Sequence, residues 1–111
     1  SGSACYAAVS RDILRAIVSQ VGCSDHLGGF MGRMPRGIGN YRATEHNIDM
    51  YAFAKMLNDS AVQEAAGRFV ESMYGFDPAH PKVYATGTGG QRECDPEGNT
   101  ALPIAADTQM W

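Results

Sequence analysis

Glu45 and Asp49 stand four residues apart, an interval that in a helix puts both carboxylates on one face. Two neighbouring carboxyls can divide acid and base work on a glycosidic bond, which needs one proton donor and one base or nucleophile. The competing reading is that they complement the positive amino end of a helix, because a catalytic pair ordinarily comes from different elements whose separation the fold sets. His46 lies between them with no HxH or HExxH spacing around it, so it reads as a hydrogen-bonding side chain rather than a metal ligand. No metal and no cofactor are expected. Tyr41, Tyr51, Tyr84 and Trp111 have flat apolar faces that can stack on a pyranose or pack into a core.

Other motifs are weaker. Glu93, Asp95, Glu97 and Asn99 alternate oxygen-bearing residues as a calcium loop does, but a loop frame begun at Glu93 puts Ile104 where the bidentate acid belongs. The glycines of TGTGG come without the lysine of a phosphate loop, and GGFMG lacks the order of a dinucleotide loop; both read as turns. Arg33, Arg36 and Arg42 cluster in sequence and read as loop anchors or solvated charges. A net charge of -3 gives no footprint for nucleic acid. No apolar run approaches the roughly 18 residues that a membrane span requires, so no membrane partner is expected. Cys5, Cys23 and Cys94 form an odd set without CxxC spacing, which reads as reduced thiols in a cytoplasmic protein.

The chain of 111 residues is long enough for a single domain with one core, 1–111. Tyr6, Val9, Ile13, Ile17 and Val21, with Leu14 and Val18 beside them, recur at three- and four-residue steps, which predicts an amphipathic helix from Ser3 to Val21 with its apolar stripe on the core. Gly22 to Ala43 is rich in glycine and reads as a long loop in which Phe30 and Met34 pack down, with room for a short strand. A second helix is expected from Thr44, whose hydroxyl caps the first turn, to about Asn58. It is apolar on nearly every side, so protein should surround it and leave only its amino end for chemistry. A third helix begins in the capping-box pair Ser60 and Gln63 and ends before Gly75; the short connection makes the two an antiparallel αα-hairpin. Val83 to Thr88 predicts a strand of a small β-hairpin, with a turn at Asp95 to Gly98 and the start of a further helix at Asp107. The fold class is mostly α.

Three separated segments, TEHNIDMYAFAKML, VYATGTGG and DTQMW, resemble in order and spacing parts of bacterial (α/α) toroid domains of the six-hairpin glycosidase type, over roughly residues 40 to 111. A complete toroid has twelve helices, so the resemblance implies a truncated toroid-like arrangement that cannot close its ring. Apolar sides once covered by neighbours would then be exposed, and a homo-oligomer, a dimer in the simplest case, is expected to cover them. The same resemblance implies a site at the amino end of the second helix, where Tyr41, Glu45, His46, Asp49 and Trp111 contact a small polar or sugar ligand without catalysis. Its alternatives are a glycosidase-class hydrolase, with Glu45 and Asp107 facing each other across a cavity that another subunit completes, and a degenerate fragment with no activity.

Overall fold

The computed structural model describes residues 2–34, 41–90, 94, 99–103 and 109. Among the described residues, three helices and one small sheet follow in the order α1 (Gly2–Val21), β1 (Tyr41–Ala43), α2 (Thr44–Met56), α3 (Ser60–Ser72), β2 (Gly87–Gly90) and β3 (Asn99–Ala101). The mostly helical class and the α2–α3 hairpin agree with the sequence reading. The sheet is antiparallel in the order β1-β2-β3, with Arg42 opposite Thr88 and Thr88 opposite Ala101. β1 is the short strand hidden in the glycine-rich stretch. β2 begins later than the expected strand, because Val83 to Thr86 are engaged elsewhere: the Val83 carbonyl accepts from Gly75, Ala85 donates to Met73, and Thr44 donates to Thr86. Turn residues 95 to 98 and the helical start at Asp107 lie outside the described residues.

Two apolar clusters hold these elements together. Leu14 and Val21 of α1, Phe30 and Met31 of the following loop, Ala54 of α2, and Val62 and Ala66 of α3 form the first. Leu27, Phe69, Met73 and Ala85 form the second, beneath the loop and the sheet. The α2–α3 connection turns at Asn58, which takes a left-handed conformation (φ 57°) that asparagine tolerates. At α3 the cap lies one residue before the expected capping box: the Asp59 carboxylate accepts from the Val62 amide at 3.1 Å. At α2 the Thr44 side chain caps nothing and instead donates to the Ala85 carbonyl at 2.6 Å, tying the helix to the segment before β2.

Three expectations about burial are corrected. α2 is not enclosed: Thr44, Asn47 and Ala54 are buried, Met50, Phe53 and Leu57 are half-buried, and Tyr51 and Met56 are exposed, Met56 to 80%. α3 packs along its length, with the Tyr51 ring against Gly67, and a lone methionine such as Met56 needs no cover. The α1 stripe splits as well. Leu14 and Val21 are buried, whereas Tyr6, Val9, Ile13 and Val18 are exposed. Met34, expected to pack with Phe30, is also exposed.

Candidate functional site

The amino end of α2 is built by residues that the sequence offers for chemistry and the fold uses for support. Asn47 is fully buried, and its side chain donates to the Ala43 carbonyl at 2.8 Å and the Phe30 carbonyl at 3.2 Å. Its Oδ1 accepts from the Phe30 amide at 2.9 Å. One amide thus satisfies both backbone groups of a buried loop residue, as burial requires. Gly29 comes so close that a β-carbon there would meet Asn47 Oδ1 and the Phe69 side chain at under 3 Å, and its φ of +76° suits glycine alone. Arg42 is also fully buried. Its guanidinium grips both oxygens of Asp25 (2.7 and 2.8 Å), donates to the Gly28 carbonyl at 2.8 Å, and lies over the Phe69 ring. Arg42 is therefore a loop anchor, and its partner is Asp25 rather than Glu45 or Asp49.

This scaffold shapes a cleft of about 610 Å³ between the carboxyl end of α1, the loop after it and the first turns of α2. Ile17, Val21, Phe30, Met31, Met34, Met50 and Phe53 give it an apolar wall, and His46, Asp49 and Arg33 supply polar groups. The Tyr41 ring stands 5.9 Å from that of His46 and covers Gly32, where any side chain would collide with it. Of the residues expected at the site, His46 and Asp49 line the cleft and Tyr41 adjoins it; Glu45 is half-buried and is not among its walls. Trp111 and Asp107 lie outside the described residues. Phe53, Met50 and Ile17 are not among the site residues that the sequence offers. The signal for two of them was present, since His46, Asp49, Met50 and Phe53 follow the 0, 3, 4, 7 spacing of one helix face.

Cys23 and Cys94 are joined in a disulfide, and only Cys5 is a free thiol, exposed on α1. This corrects the reading of three reduced thiols. Odd number and spacing could not reveal a pair separated by 71 residues. The bond fastens the loop that floors the cleft to the connection between β2 and β3. Among the described residues no three His, Cys, Asp or Glu side chains gather as metal ligands would, and no helix is long and apolar enough to cross a membrane. Away from the cleft, the His80 imidazole bonds to Asp77 at 3.0 Å and, with the Ala79 amide, holds that carboxyl below its ordinary range.

Comparison with family models, curated proteins and solved structures finds no match to this chain.

Proposed function

We propose that the protein is a non-catalytic, oligomeric binding module whose ligand occupies the cleft at the amino end of α2. The cleft carries this reading: its wall is apolar and adaptable, with three methionines, while His46 and Asp49 offer hydrogen bonds and charge. A small ligand with one apolar face and a polar edge, as a sugar has, suits that division. The hydrolase reading draws on no comparable observation, because Glu45 is absent from the cleft walls. The resemblance of residues 40 to 111 to a toroid segment supports the same reading, since it accounts for a site with one side open. The disulfide weighs against the cytoplasmic setting expected from the sequence and suits an oxidising compartment better.

Titration with mono- and disaccharides at millimolar concentration, followed by amide chemical shifts, tests the proposal. Saturable shifts are expected at His46, Asp49 and Met50, weakened about tenfold by Asp49→Asn through loss of one charged hydrogen bond. No response from any sugar, or shifts confined to other surfaces, would overturn it.

A further inference from the structure

From Ser3 to Ile13 no side chain of α1 is buried; the first is Leu14. A stretch of that length is marginal as a helix in water unless something packs against it. Tyr6 is 77% exposed, and Val9 and Ile13 are each 51% exposed. At 100° per residue these three fall with Ala16 and Gln20 in one sector of about 80°, while Arg11, Asp12 and Arg15 point elsewhere. This uncharged stripe runs on through Ile17 into the cleft wall, so it is continuous with the apolar surface of Ile17, Val21 and Met34.

We infer that α1 is the self-association surface of the protein: the stripes of two copies pack antiparallel about a two-fold axis near Ile13. This rests on the oligomeric reading above and names its interface. With Ile13 beside its own copy, Val9 faces Ile17 of the second copy and Tyr6 faces its Gln20, one residue from the cleft-lining Val21. Each stripe thereby closes the open side of the other copy's cleft, and every contact occurs twice, as a two-fold interface requires. The area is adequate. At about 150 to 200 Å² for a large apolar side chain, the exposed parts of Tyr6, Val9, Ile13 and Met34 come to roughly 400 Å². With the polar share of an ordinary interface, this approaches the ~800 Å² that each partner contributes to a stable complex.

Sedimentation equilibrium of the full chain at micromolar concentration should show a dimer. Ile13→Glu places two carboxylates at the axis and should raise the dissociation constant at least ~100-fold without changing the circular dichroism of the helices. Met56→Glu, exposed on α2, should leave it unchanged. In a Cys5→Ser background, Ile13→Cys should form a disulfide with its own copy on mild oxidation. Cys5 of the unaltered chain should not, because the antiparallel register holds the two copies of that residue about 24 Å apart. A dimer that Ile13→Glu leaves intact, or one linked through Cys5, would overturn this interface while the oligomeric reading stands. A chain that stays monomeric throughout would overturn both.

Discussion

Arg42 and Asp25 form a buried ion pair that ties β1 to the loop after α1. A fully buried guanidinium is tolerable because its charge is met by a bidentate carboxylate, a backbone carbonyl and an aromatic face at once. Among the described residues, however, its Nε has no hydrogen-bond partner, and the Thr88 hydroxyl across the β1–β2 pair is likewise buried and unpaired. Such a centre costs more to break than it contributes whole. Arg42→Met should destabilise by about 3 kcal/mol or more in urea unfolding, since it leaves Asp25 largely buried without its counter-charge. The double variant Arg42→Met/Asp25→Leu should cost less than either single change, because no unpaired charge then remains. Equal and additive losses would show that packing, and not charge pairing, dominates there.

The αα-hairpin is the element on which the cleft depends, because α3 fixes α2 from behind and leaves the face with His46, Asp49, Met50 and Phe53 free. Asp59 sets where α3 begins. Asp59→Ala removes the acceptor for the Val62 amide and should lower stability by about 1 kcal/mol, measured by thermal unfolding, with no change in ligand response at the cleft. Asn58 tolerates the turn before it. The sequence located this hairpin within a few residues because helical periodicity and short connections are local properties. It misplaced the cap by one residue, since Ser60 and Asp59 are both competent and only the backbone path chooses between them.

For the whole molecule, the Cys23–Cys94 disulfide is a long-range covalent constraint, closing 71 residues of sequence between the end of α1 and the sheet. Confining a loop of that length in the unfolded chain stabilises the native state by about 4 kcal/mol in the chain-entropy account. Cys94→Ser should therefore lower unfolding stability by roughly that amount, and reduction of the unaltered protein should reproduce the loss. If reduction has no effect, the two sulfurs are not bonded in solution. The loop between Cys23 and Met34 should feel the change first, because outside that bond it is held by Arg42, Asn47 and a few backbone hydrogen bonds and belongs to no helix or named strand.

The sequence by itself determined the helical class, the three helices, the hairpin and the polar character of the amino end of α2, because each follows from spacing within a few turns of chain. Tertiary structure alone decided which polar residues there are free. Thr44, Asn47 and Arg42 were drawn inward to satisfy the backbone and charge of a glycine-rich loop, while His46 and Asp49 were left facing a cleft. It also decided which apolar residues stay in contact with water, since Met56 and the α1 stripe have the composition of a core but no element among the described residues placed to cover them. Burial and pairing depend on what arrives from distant parts of the chain, and local spacing carries no record of that.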